Sequence, residues 1–167
     1  GNYSRTATGG SGTGAVTYAS SAVSVATVNS STGEVTIVGA GSATITATRA
    51  ADANYNAVSD DYVLTVSKAT DTLNAGADVS KTFGDGNYTQ TATGGSGTGA
   101  VTYTPRTLPA ATVVSSTGEV TIVDEGSASI TATRAADAKY NEVTDSYVLT
   151  VSKATDTLNA GAEWSQS

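Results

Sequence analysis

The chain has 167 residues, with 15 acidic against 8 basic side chains for a formal net charge of −7, and it contains no His, Cys or Met. Without Cys there is no disulfide framework, and without His or Cys neither nucleophilic triads nor most zinc sites can be assembled. The acidic balance opposes the phosphate neutralisation that drives nucleic-acid binding, and no run approaches the ~20 apolar residues that cross a bilayer, so neither nucleic acid nor membrane insertion is expected.

The sequence is written twice. Asn2-Tyr3 recurs as Asn87-Tyr88, Thr6 to Tyr18 as Thr91 to Tyr103, Ser30 to Val38 as Ser115 to Val123, and Tyr62 to Gly76 as Tyr147 to Gly161, always 85 residues on. Solenoid repeats run to about 20–50 residues, so a period this long makes each copy a domain in its own right. The expected division is 1–68 for the first repeat, 69–153 for the second, complete repeat, and 154–167 for the first strand of a following one.

In chain order the complete repeat opens with a first strand over Thr70 to Asn74 and Val79 to Phe83, broken near Gly76. Phe83 to Asn87 is turn chemistry, because Gly and Asn tolerate positive φ. Tyr88 to Thr93 is Thr-rich and extended. Gly94 to Gly99 is a loop, and Ala100 to Thr104 a short alternating strand. Ala111 to Val114 and Glu119 to Val123 flank Ser115-Ser-Thr-Gly118, a hairpin signal. Period-two alternation then places Ala128, Ile130 and Ala132 on one face of Ser127 to Thr133, and Tyr147, Leu149 and Val151 on one face of Tyr147 to Val151. Between these strands, Arg134 to Glu142 is the one helix-compatible stretch and is read as a loop with one helical turn. About seven short strands separated by turns describe an all-β sandwich. Gly1 aligns with Gly86, so the first copy lacks the counterpart of 69–85, its N-terminal strand; Ala154 to Ser167 repeats that piece, with Glu163-Trp164 in place of Asp78-Val79.

The run Ala26-Thr-Val-Asn-Ser-Ser-Thr-Gly-Glu-Val-Thr-Ile-Val-Gly-Ala-Gly-Ser-Ala-Thr-Ile-Thr-Ala-Thr48 resembles the bacterial Ig-like domain of group 2 type. Residues 25–28 and 39–47 carry the pattern in the first copy. Ala111 to Val113 and Gly126 to Ala132 carry it in the second, where Asp124-Glu125 replaces Gly39-Ala40. The loop Ala51 to Asn56 followed by Tyr62 to Val66 is similar to tandem repeats of large bacterial surface or secreted adhesins. The resemblance implies two tandem Ig-like β-sandwich domains, the first lacking its N-terminal strand, in an extracellular or bacterial cell-surface protein.

No residues for catalysis or cofactor binding emerge, and an enzyme is not expected. The Gly94 to Gly99 loop lacks the Gly-Lys-Ser/Thr ending and the helix of a phosphate loop and is read as a strand connector. Carboxylates gather at Asp52, Asp60 and Asp61 and again at Asp137, Glu142 and Asp145, with Asp85 near the domain junction. No Asp-x-Asp-x-Asp run occurs and Asp61 becomes Ser146, so these acids are read as solvated, with a structural Ca²⁺ as the alternative. Lys68 and Lys153 end their strands at exposed positions, which argues against a Lys–Asn cross-link. Tyr3, Tyr18, Tyr55 and Tyr62 recur in the second copy and are assigned to core or rim packing.

Two functions fit: a stalk or spacer repeat of a surface adhesin, self-associating by strand addition of the C-terminal segment to the open edge of the first domain, or an adhesive module whose loops contact glycan or protein. The expected partners are neighbouring copies of the repeat or chain and a host or cell-surface glycan or protein. Ala19 to Val25 against Thr104 to Ala110 is the concentrated block of difference between the copies.

Overall fold

The computed structural model describes residues 2–106 and 110–161, and the chain divides by its contacts into two compact units, Gly1–Thr70 with Ala136–Asn141 and Asp71–Ala135 with Glu142–Ser167. The first unit holds β1 (Asn2–Ser4), β2 (Val16–Ser20), β3 (Ala26–Val28), β4 (Glu34–Ile37), β5 (Gly41–Arg49) and β6 (Val58–Val66). They form two antiparallel sheets, β1-β4-β3 and β2-β5-β6. The second unit holds β7 (Val79–Thr82), β8 (Tyr88–Thr89), β9 (Val101–Pro105), β10 (Ala111–Val113), β11 (Glu119–Ile122), β12 (Gly126–Arg134) and β13 (Val143–Ser152). Its sheets are β10-β11-β8 and β7-β13-β12-β9. Each unit is a β-sandwich of the Ig-like kind, and every strand pair they share has the same register displaced by one repeat. Ala43 faces Leu64 as Ala128 faces Leu149, Tyr18 faces Ala47 as Tyr103 faces Ala132, and Tyr3 faces Val35 as Tyr88 faces Val120.

Side-chain alternation sets these pairings. In β12 and β13 the faces read from the sequence are the buried ones: Ala128, Ile130 and Ala132 are fully buried, with Tyr147, Leu149 and Val151 packed against them. A one-residue slip would carry all six to the solvent face. The Ser-Thr-Gly turns close at Gly33 (φ +71°) and Gly118 (φ +73°), where a left-handed backbone is needed. A Cβ there would also press on the ring of Tyr18 or Tyr103. Those two rings pin the approach to the preceding strand, because the Tyr18 hydroxyl accepts the Ala7 N–H at 2.8 Å and the Tyr103 hydroxyl the Ala92 N–H at 2.7 Å.

The stretch from Arg134 to Glu142 takes no helical turn. Arg134 ends β12, and the loop after it is held by Asp137, whose Oδ1 accepts the N–H groups of Lys139 and Tyr140 at 2.8 Å each. The Asp137 N–H in turn donates to the Tyr140 carbonyl at 3.1 Å, a pairing from residue to third residue ahead that runs opposite to a helical bond and closes the segment as a loop. No helix occurs among the described residues, and none is therefore long and apolar enough to cross a membrane.

The units differ at one edge. In the second, β7 runs parallel to β13, with Val79 opposite Leu149 and Thr82 opposite Ser152. In the first, β6 is the last strand of its sheet. Tyr147, Leu149 and Val151 are at most 2% exposed, whereas their counterparts Tyr62, Leu64 and Val66 are only half-buried. Ala154 to Gly161 is exposed and forms no strand. The residues aligned with β7, along with Trp164 and Pro109, lie outside the described residues.

Candidate functional site

The segment 71–77 is built into the second sandwich by an ion pair, hydrogen bonds and packing. Asp71, its side chain 3% exposed, forms an ion pair with Arg134 Nη1 at 2.9 Å. The same carboxylate accepts the N–H of Ser96 at 2.9 Å and of Gly97 at 3.2 Å. Arg134 Nη1 also donates to the Thr72 carbonyl at 3.3 Å. Asn74 and Thr93 exchange backbone hydrogen bonds of 2.8 and 2.9 Å. Ala75, fully buried, donates its N–H to Asp145 Oδ2 at 2.8 Å. Gln90 Nε2 donates to the carbonyls of Ala75 and Ala77 at 3.0 and 3.1 Å, and Leu73 packs on the core.

The glycine loop is therefore a cradle for a carboxylate, a role the sequence reading did not assign. A Cβ on Gly97 would meet Asp71 Oδ2 at 2.6 Å, and one on Gly95 would overlap the Thr72 carbonyl and the Arg134 guanidinium. The Ser96 N–H, with the Arg134 guanidinium second, holds the Asp71 carboxyl at about 2, well below the usual carboxylate range.

Most of the residues that hold this segment recur in the first unit, where they line a cavity. A cavity of about 450 Å³ is lined by Thr8, Tyr18, Ala47, Arg49, Asp60 and Tyr62, among others. Thr8 corresponds to Thr93, Gly10 to Gly95, Arg49 to Arg134 and Asp60 to Asp145. Among the described residues Arg49 has no ion-pair partner. Three lining positions depart: Ser59 and Asp61 stand where Thr144 and Ser146 stand, and Arg5 stands where Gln90 stands, with its guanidinium carbon 4.7 Å from the Tyr62 ring centre. Tyr62 Oη is buried and, among the described residues, meets no hydrogen-bond geometry, and burial with the neighbouring Tyr3 hydroxyl pushes its phenol up to about 12; in the second unit Tyr147 Oη lies 3.4 Å from Tyr88 Oη.

Of the acids singled out in the sequence, Asp52, Asp85, Asp137 and Asp145 accept backbone N–H groups. Asp52 Oδ2 accepts the Thr13 N–H at 2.6 Å, and its Oδ1 accepts those of Asn54 and Tyr55 at 2.8 and 2.9 Å. These bonds, the Thr13 N–H foremost, hold its carboxyl at about 2. Asp85 Oδ2 accepts the Thr82 N–H at 2.9 Å. Asp60 and Asp61 line the cavity. No group of three acids, His or Cys positioned for a metal occurs among the described residues. Lys68 and Lys153 are exposed; the Lys153 ammonium sits 3.8 Å from Glu125 at the surface. Tyr18, Tyr103 and Tyr147 are core residues, whereas Tyr55 is 51% exposed.

Residues 1–51 match the family model described as "Intimin, immunoglobulin-like domain". No curated protein matches the chain. Solved structures similar to it include surface layer protein SbsC, domains 4–9 (21% identity over 95% of this chain and 25% of that one, TM-score 0.42). They also include Drosophila N-cadherin EC1–3 (11% identity, 84% of this chain and 56% of that one, TM-score 0.39). A third is a SusE-like surface-located polysaccharide-binding protein from Bacteroides thetaiotaomicron (14% identity, 85% and 30% coverage, TM-score 0.35). The chain spans 56%, 21% and 41% of the first three solved chains it matches. The two-sheet sandwich of the first unit agrees with the match of residues 1–51 to an intimin-type immunoglobulin-like domain.

Proposed function

We propose that the chain is a stalk-type repeat of a bacterial surface adhesin, a unit that sets distance and presents surface, without catalysis. The observation that supports this most directly is the identity of register across the two repeats. Turn staples are duplicated as well, Asp52 with Asp137 and Tyr18 with Tyr103. A spacer needs one geometry reproduced many times, whereas a single binding or reaction centre needs only one copy. In this reading 1–68 and 69–153 are successive domains and 154–167 opens the next, so that repeats and chains join by strand addition at the β6 edge.

The test is small-angle scattering on arrays of two, four and six repeats. A maximum dimension that grows by a constant increment per added pair supports the spacer reading; a dimension that saturates as the repeats fold back on one another refutes it. A second reading, direct contact with glycan or protein through loops, is favoured by one feature, the concentration of differences in 19–25 against 104–110. It predicts that exchanging those blocks between the repeats alters binding to a glycan array while leaving the array length unchanged.

A further inference from the structure

We propose that Asn29 is an N-glycan acceptor, the carboxamide to which a transferase attaches a sugar taken from a nucleotide-activated hexose. The pattern Asn-x-Ser/Thr, the acceptor sequence for that reaction, occurs at Asn2-Tyr-Ser4, Asn29-Ser-Ser31 and Asn87-Tyr-Thr89. The fold sets these three apart.

Transfer to a carboxamide makes three demands on the acceptor. Its Nδ2 must be free, the hydroxyl two residues on must be accessible, and the backbone must leave the sheet so that a transferase can close around it. Asn87 fails on the first and the third. Its Nδ2 donates to Glu119 Oε1 at 3.2 Å, and Tyr88 and Thr89 form β8, paired with Val120 and Glu119 of β11. Asn2-Tyr-Ser4 is strand β1, paired along its whole length with β4.

Asn29 lies between β3 and β4, where the chain reverses, and Asn29, Ser30 and Ser31 are all exposed. Its Oδ1 accepts the N–H of Ser31 at 2.9 Å and of Thr32 at 3.1 Å, the local turn that asparagine side chains favour. The carbonyl side of the carboxamide is thus spent on the backbone. Among the described residues, neither Nδ2 nor the Ser31 hydroxyl has a protein partner. Two donors on Oδ1 also draw charge away from the amide nitrogen, which makes its proton easier to remove.

The second repeat shows that the turn does not depend on asparagine. Val114 occupies the same place, and its N–H donates to the Glu119 carbonyl at 2.8 Å as that of Asn29 does to the Glu34 carbonyl at 2.8 Å. The turn glycine then returns its N–H to the Val114 carbonyl, or to that of Asn29, at 2.9 Å. A carboxamide that the backbone can do without, beside a hydroxyl at the required spacing, is available for chemistry. In the transfer a bond forms between Nδ2 and the anomeric carbon of the hexose. The bond from that carbon to the diphosphate oxygen breaks, and the nucleoside diphosphate leaves with the electron pair. The Nδ2 proton passes to a base of the transferase, and nothing is oxidised or reduced.

The test incubates the folded full chain with UDP-glucose and a soluble asparagine glucosyltransferase that modifies the peptide Thr27 to Gly33. Intact mass and peptide mapping read the product. The expected result is one added hexose on the peptide carrying Asn29, with Asn87 modified about tenfold or more slowly because β8 must open first. Asn29→Val, which installs the residue of the second repeat, and Ser31→Ala each lose the adduct with the far-UV spectrum unchanged. Val114→Asn gains a second hexose, because it completes an Asn-Ser-Ser run in the matching turn. A folded chain left unmodified overturns the proposal. So does modification at Asn87 as fast as at Asn29, or a Val114→Asn chain that gains nothing, since either would mean that the turn does not present the acceptor. These outcomes are separate from the array-length test of the spacer reading.

Discussion

Leu64 and Leu149 are the same residue in the same place of two sandwiches, and they differ in what covers them. Leu149 is fully buried, lies opposite Ala128 on one side and Val79 of β7 on the other, and belongs to the core of the second unit. Leu64 lies opposite Ala43 but is only half-buried, because β6 ends its sheet. Truncating a fully buried Leu to Ala costs about 2–5 kcal/mol, the lost transfer energy plus the cavity left behind. A half-buried Leu at an edge forfeits about 1–1.5 kcal/mol, in proportion to the area it had removed from water, and leaves no closed void. Leu149→Ala is therefore expected to destabilise its unit by about 1–3 kcal/mol more than Leu64→Ala destabilises the other. With a urea m-value of about 1 kcal/mol/M for units this small, the two midpoints move by amounts that differ by at least ~1 M. The assay is urea unfolding followed by far-UV circular dichroism, at a concentration where the chain is monomeric. Equal midpoint shifts for the two variants would refute the reasoning, because they would mean that β7 contributes nothing to the burial of the strand beside it.

Three further outcomes follow from the same contacts. The Asp71 and Asp52 carboxyls are held at about 2, below their unfolded value near 4, so their contribution to stability is complete above pH ~4 and is lost as the pH falls towards 2; Asp71→Asn should flatten the stability–pH slope of the second unit across that window, as measured by urea unfolding at each pH. Gly99→Ala places a Cβ on the Ala135 carbonyl oxygen, and Gly14→Ala does so on that of Ala50; each is expected to cost about 1–3 kcal/mol by thermal or urea unfolding. Because Asp52 spends both carboxylate oxygens on N–H groups of Thr13, Asn54 and Tyr55, removal of divalent cations with EDTA should leave the melting temperature unchanged, and a fall would restore the Ca²⁺ alternative.

Strand positions were legible because alternation in this chain is clean. Ser127 to Thr133 places small or branched apolar residues at every second position, and the structure buries those positions. The hairpin around Gly118 was legible for a different reason, since its left-handed φ calls for glycine. What escaped was the pairing of Asp71 with Arg134, 63 residues apart. A charged residue in a Ser/Thr-rich chain is assigned to solvent by default, and nothing local to Asp71 contradicts that. The available signal lay in combination: Asp71 recurs as Asp156, Arg134 as Arg49, and Gly94-Gly-Ser-Gly97 as Gly9 to Gly12. An ion pair and a glycine loop repeated together are what a carboxylate cradle requires. The Arg134 to Glu142 stretch misled for a related reason, because its Ala content favours a helix while the Asp137 N–H pairs with the Tyr140 carbonyl and closes a loop.

The measurement that bears most directly on the whole account is hydrogen exchange on a chain extended before Gly1 by the sequence Ala69 to Asp85. If the first unit is an Ig-like sandwich short of one segment, the extension fills the cavity in place. The amides of Leu64 to Val66 should then gain protection to the level of Leu149 to Val151. Unchanged exchange at β6 in the extended chain would contradict the account.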